Sequence, residues 1–246
     1  MKKMRYVLSF IMTCAMCISQ IPTSFAIDEI PENTFSIEES ISFEQEIEVG
    51  SYDDETGLMF DPAPDINEIT LDATPRSVRV EPRGLLASIT VTVCSPCDEE
   101  FRSQFPGTWM SAADSRIEQA DNTLFNWFGI DYYSQRQETW SSPNNLTYYA
   151  DIYNDAINKY GRSMSADVMI GFSGQDAGVG GCANILNRYA MCWEYGFTYT
   201  ANTVAHESGH MYGCYDSCGG ICLMSGYPGQ ICNNCFNTWN GNKYRY

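Results

Sequence analysis

The chain has 246 residues, 31 acids against 14 bases, two histidines, and 44% hydrophobic residues. That length fits one or two domains with a sizeable core. A formal charge of −17 argues against nucleic acid or an anionic membrane surface as partner, since both need basic patches.

The charge falls into three blocks. Residues 1–26 carry three bases and no acids, residues 27–83 carry 16 acids and three bases, and residues 84–246 carry 15 acids and eight bases. The first block reads as a signal peptide. Lys2, Lys3 and Arg5 form a positive start, residues 6–18 are mostly apolar, and Ser24-Phe25-Ala26 offers small residues at a cleavage site. The apolar run is too short for a membrane span, which needs roughly 20 residues. The residues before Cys14 and Cys17 make a poor lipobox, so neither a lipid nor a helical membrane anchor is expected. The expected location is extracellular.

The second block, 27–83, reads as an acidic propeptide or disordered spacer. Residues 27–75 contain no Lys, Arg, Cys or His. Such a composition does not easily offset the entropy of folding alone. Arg76, Arg79 and Arg83 then form a basic patch suited to trypsin-like cleavage. The segment has no cysteine to cap a metal, but a carboxylate such as Asp61 or Asp65 could do so.

The third block, 84–246, is roughly 160 residues, a normal single-domain size. Residues 88–94 alternate with β-branched side chains and predict a strand. Ala113, Ile117, Ala120, Leu124 and Trp127 recur at helical spacing. Residues 130–140 look extended. Leu146, Tyr149, Tyr153, Ile157 and Tyr160 mark a second amphipathic helix, stopped by Gly161. Residues 166–172 predict a strand, 178–181 a flexible loop, 188–195 another strand and 199–212 a helix. Beyond Gly213 little periodicity remains. This order fits an α+β domain: a twisted mixed β-sheet with packed helices.

Both histidines lie in the last of these helices. His206 and His210 are four apart, so their rings share one face and can reach one Zn2+. Glu207, offset by one residue, can stand beside the metal and take a proton from its water. Gly213 can adopt positive φ and turn the chain back, bringing Asp216 as third ligand. No third histidine exists, Glu207 is the last glutamate, and Asp216 is the only acid after it. Cys214 and Cys218 are the rival ligands, although export favours disulfides for both.

The pattern His-Glu-x2-His-x2-Gly-x2-Asp over residues 206–216 resembles the metzincin clan of zinc metalloproteases. It is similar to the small secreted snapalysin-like and bacterial reprolysin-like enzymes. Cys222-Leu-Met224-Ser-Gly226 resembles their Met-turn. The resemblance implies one catalytic Zn2+ held by His206, His210 and Asp216, with Glu207 as general base and Met224 as an apolar floor. Gly213 would support the turn, and Tyr227 is a candidate oxyanion stabiliser. It implies a protein or peptide substrate, laid against an edge strand near residues 178–185. It leaves any calcium requirement and the oligomeric state open. Two rivals remain. The site could cleave another amide or a cell-wall peptide, or the chain could be a non-catalytic zinc-binding module or toxin.

Nine cysteines follow residue 84, an odd number, so disulfides cannot use all of them within one chain. Cys182 and Cys192 flank a hairpin and could pair. Cys94 and Cys97 with Cys232 and Cys235 could form a second zinc site.

Overall fold

The computed structural model describes residues 51–53, 56–63, 88–216, 218 and 220–246. The expected signal peptide, Asp65 and the basic patch Arg76, Arg79 and Arg83 lie outside the described residues. Seven strands form one sheet: β1 (Ser51–Asp53), β2 (Leu58–Pro62), β3 (Ile89–Cys97), β4 (Ile130–Thr139), β5 (Val168–Ser173), β6 (Val179–Ala183) and β7 (Tyr189–Trp193). Their order across the sheet is β1-β2-β6-β7-β5-β3-β4. The half built from β3, β4, β5 and β7 is parallel. Strands β6, β2 and β1 add to it antiparallel.

Strands β5 and β7 are buried on both faces, and alternate residues feed two cores. Val168, Ile170, Phe172, Ala190 and Cys192 face one cluster; Met169, Met191 and Trp193 face the other. The first core is covered by α2 (Trp109–Phe128) and α4 (Phe197–Met211). The second is covered by α3 (Tyr149–Ala156), which runs on as a π-helical turn through Ile157–Gly161.

Helix α2 buries Ala113, Ile117, Ala120, Leu124 and Phe128, the predicted stripe with Phe128 replacing Trp127 at its end. Gly129, at φ 68°, closes it in the left-handed conformation glycine favours. A short helix, α1 (Glu99–Gln104), is capped by Asp98, whose carboxylate accepts the Phe101 N–H at 2.7 Å. A last helix, α5 (Asn233–Asn242), packs Trp239 against Phe128 and Tyr212 at ring-centroid distances of 4.5 and 5.5 Å. A buried ion pair fixes the start of α4. Arg116 on α2 donates from Nε and Nη2 to both oxygens of Glu194, each at 2.6 Å, and Glu194 in turn accepts the Gly196 N–H.

Two expectations are corrected. Residues 179–181 are not a loop: β6 runs through them, with Gly178 just before it. The segment expected to be propeptide or disordered spacer contributes β1 and β2, an antiparallel pair on the sheet edge. Leu58 and Met59 are buried there, and Phe60 packs on Tyr149 at 5.1 Å. Cys182 and Cys192 do not pair. Cys182 lies opposite Met191, so Cys182 and Cys192 project from opposite faces into different cores. Among the described residues, no helix is long and apolar enough to cross a membrane.

Candidate metal centre

Helix α4 is buried on every side from Thr203 to Met211, against α2, β6 and β7. His206 and His210 share one face, with ring centroids 4.8 Å apart. His206 Nδ1 is 3.0 Å from the Leu223 carbonyl, and His210 Nδ1 is 2.8 Å from the Cys214 carbonyl. A carbonyl only accepts, so each Nδ1 carries the proton. Both Nε2 atoms therefore present lone pairs, and they face each other at 3.0 Å. Asp216 Oδ1 stands 2.9 Å from one and 3.4 Å from the other. Asp61 Oδ1, from β2, lies 3.3 Å from His206 Nε2. Acceptors this close repel one another unless a cation lies among them. Two imidazole nitrogens and a carboxylate oxygen are a zinc donor set, so the residues fit that metal.

Gly213 makes the return possible. Its φ of 96° is in the region glycine favours, its N–H donates to His210 O, and the Cys214 N–H donates to Gly209 O. The chain then doubles back to Asp216. A Cβ on Gly213 would press to 2.9 Å from Leu186 Cδ2. Met224, in a 3-10 turn at Leu223–Ser225, is fully buried beneath the helix. A Cβ on Gly209 would collide with its sulfur, so a glycine between the histidines lets the methionine seat there.

Glu207 lies against β6, where a Cβ on Gly181 would be 2.5 Å from its Oε1. Neither oxygen of Glu207 nor of Asp216 has a hydrogen-bond partner among the described residues. Buried carboxylates rarely stay unpartnered. Burial, then the Asp61 charge, raises the Glu207 carboxyl well above its usual range. Burial pulls His206 down, but Asp61, Asp216 and Glu207 outweigh it and hold it at about 10. Burial and the His206 charge push His210 down to about 4.

The cysteine rivals turn elsewhere. Cys214 gives its carbonyl to His210 while its sulfur points at the Cys235 carbonyl, 3.6 Å away. Cys218 joins three other cysteines. Tyr227 is 39% exposed, outside the buried group around the histidines. Cys232 and Cys235 gather with Cys218 and Cys222, not with Cys94 and Cys97. Asp61 is the member least legible in the sequence. Only its carboxylate marked it, and a nonlocal strand pairing delivers it.

A family model described as Metallo-peptidase family M12 matches residues 87–240. No curated protein matches the chain. A solved chain from "Structure of a chaperone-substrate complex" matches with a TM-score of 0.52 at 13% identity. That match covers 65% of this chain and 35% of the solved one, and it shows a shared fold alone.

Proposed function

The chain belongs to metallo-peptidase family M12, and from that premise we propose that it is a secreted zinc endopeptidase made as a latent precursor. The family makes it a zinc-dependent peptidase acting on proteins or peptides. The facing Nε2 lone pairs of His206 and His210, with Asp216 across them and Glu207 beside them, carry the assignment of residues. His206, His210 and Asp216 hold the zinc. When bound, the metal polarises the scissile carbonyl and lowers the pKa of water toward about 7.

The remaining steps belong to the chain. Glu207 accepts the proton of the attacking water on a carboxylate oxygen and returns it to the leaving amine. The carbonyls of Leu223 and Cys214 hold the imidazole tautomers that face the metal. Strand β6 receives an extended peptide through its backbone. Strand β2 already pairs there, from Met59 opposite Ala183 to Pro62 opposite Val179. It runs along β6 on both sides of Asp61, as an internal stretch of substrate would, which favours endopeptidase action on an extended chain over cleavage of another amide.

The same pairing supports latency. Asp61 lies opposite Gly181, the glycine against Glu207, and its carboxylate reaches His206. Tyr199 on α4 donates to the Pro62 carbonyl at 3.0 Å, and Tyr149 on α3 donates to Asp53 at 2.6 Å. The segment 27–83 thus reads as a propeptide whose strand fills the substrate position. Residues 1–26 are its signal peptide, and cutting near Arg83 releases the domain 84–246. After limited trypsin treatment the chain should hydrolyse casein and extended peptides. Glu207→Gln should retain zinc and lose about 10²–10⁴-fold in rate. Full proteolysis by a zinc-loaded Glu207→Gln chain would sink the mechanism.

A further inference from the structure

We propose that Cys218, Cys222, Cys232 and Cys235 bind a second, structural zinc ion as four thiolates. Their Sγ atoms all lie within 4.8 Å of one another. A tetrahedral zinc with bonds of about 2.3 Å needs sulfurs about 3.8 Å apart. The four come as two short-spaced pairs, with three residues between Cys218 and Cys222 and two between Cys232 and Cys235. Such spacing lets each pair grip a metal from one local turn.

The donors around the sulfurs point the same way. The Cys232 N–H donates to Cys222 Sγ at 3.3 Å, and the Cys235 N–H donates to Cys232 Sγ at 3.5 Å. The Ser225 hydroxyl lies 3.5 Å from Cys218 Sγ. Donors aimed at sulfur stabilise thiolate, the form that ligates. The other five cysteines of the domain are buried, and Cys182 and Cys192 face different cores. All nine cysteines of the domain are free thiols in the structure.

Its position gives the second metal a purpose. Cys218 follows Asp216 by two residues, Cys222 opens the turn holding Met224, and Cys232 caps α5. Leu223, which fixes the His206 ring, adjoins Cys222. After Gly213 the chain has little regular structure until α5, and one ion would tie its irregular parts together. It would position Asp216 and the Met-turn without touching substrate.

The test is metal analysis of the full chain purified without added reductant. Two zinc ions per chain are expected, falling to one in His206→Ala/His210→Ala. Cobalt exchanged into that double variant should show thiolate-to-cobalt charge-transfer absorption. The band should vanish with Cys222→Ser/Cys235→Ser added. If those variants fail to fold, the wild-type chain still decides. Mass spectrometry after alkylation under denaturing conditions with chelator should find all four cysteines modified. Two disulfides among them, a single zinc in the wild-type chain, or iron in place of zinc would overturn the proposal.

Discussion

Replacing Asp61 by alanine should switch on the uncut precursor. In Arg76→Gln/Arg79→Gln/Arg83→Gln chains the linker is protected from trypsin-like cleavage, so any activity belongs to the intact molecule. Asp61 Oδ1 sits 3.3 Å from His206 Nε2 in a site with side-chain exposures of 5% or less for His206, His210 and Asp216. Taking a hydrogen bond to a charged group as the scale, the carboxylate's attraction to the cation held there contributes about 1.5–3 kcal/mol. Every 1.4 kcal/mol is tenfold, so losing the carboxylate shifts the blocked–open balance by about 10- to 100-fold. The strand remains, because the β2–β6 pairing and the bond from Ala63 N to Gly178 O at 3.2 Å use backbone. Activity should therefore rise by that factor yet stay below that of the trypsin-cut parent. The assay is the initial rate on an internally quenched peptide, with chain integrity checked by mass spectrometry. Asp61→Asn, which keeps the shape and loses the charge, should fall between. If Asp61→Ala is no faster than its background while cutting the parent activates it, the strand blocks the cleft and the carboxylate does not. If the uncut parent already matches the cut enzyme, the latency reading fails altogether.

Two further substitutions probe the frame. Arg116→Met leaves Glu194 buried without a charged partner at the entrance to α4, and should cost about 3–5 kcal/mol in urea unfolding. Adding Glu194→Gln should recover much of that loss; no recovery would mean that packing, not charge, is what Arg116 supplies. Asp121 has its carboxyl raised from 3.8 to about 6, first by burial and then by the charges of Asp131 and Glu118, against the hydrogen bond from the Tyr132 N–H. The folded state holds this proton more tightly than the unfolded one. Its stabilisation is therefore full below pH 3.8 and lost as pH rises through about 6. Asp121→Asn should flatten the melting temperature between those limits relative to the parent, and identical pH curves would refute the assignment.

What could be read from the sequence was local. His206, Glu207 and His210 lie on one helix, and Gly213 and Asp216 follow within a turn, so spacing alone brings their chemistry together. The stripe of α2 and the β-branched run of β3 are equally self-contained. Strand β6 was obscured because Gly178, Gly180 and Gly181 carry no β preference. The structure gives a reason for two of them. Side chains at 180 and 181 would strike Tyr199 and Glu207, so the strand next to the site must be bare. Strands β1 and β2 depend on a partner about 120 residues away, and no window of acidic sequence carries that register. Helix α5 is rich in Asn and carries a Gly, both poor helix formers, and is held by its Cys232 cap and by Trp239. The cysteines misled for a geometric reason. Hairpin spacing suggests a cross-link, but pairing Cys182 with Met191 sends the two sulfurs through opposite faces.

The glycines of β6 bear on the solubility of the enzyme that the proposed processing would release. On the proposed release of the hairpin formed by β1 and β2, β6 would become a sheet edge whose backbone donors and acceptors face open water. Such edges recruit other strands, including copies of themselves. A run of Val-Gly-Gly-Cys-Ala is a weak template for that. It offers few β-branched side chains to zip against a neighbour, and substrates must supply their own extended order to be held. The sequence that leaves room for Glu207 thus also keeps mature molecules from adding to one another edge to edge. Substituting valines into 180 and 181 would sacrifice catalysis and invite fibrils through the same two positions.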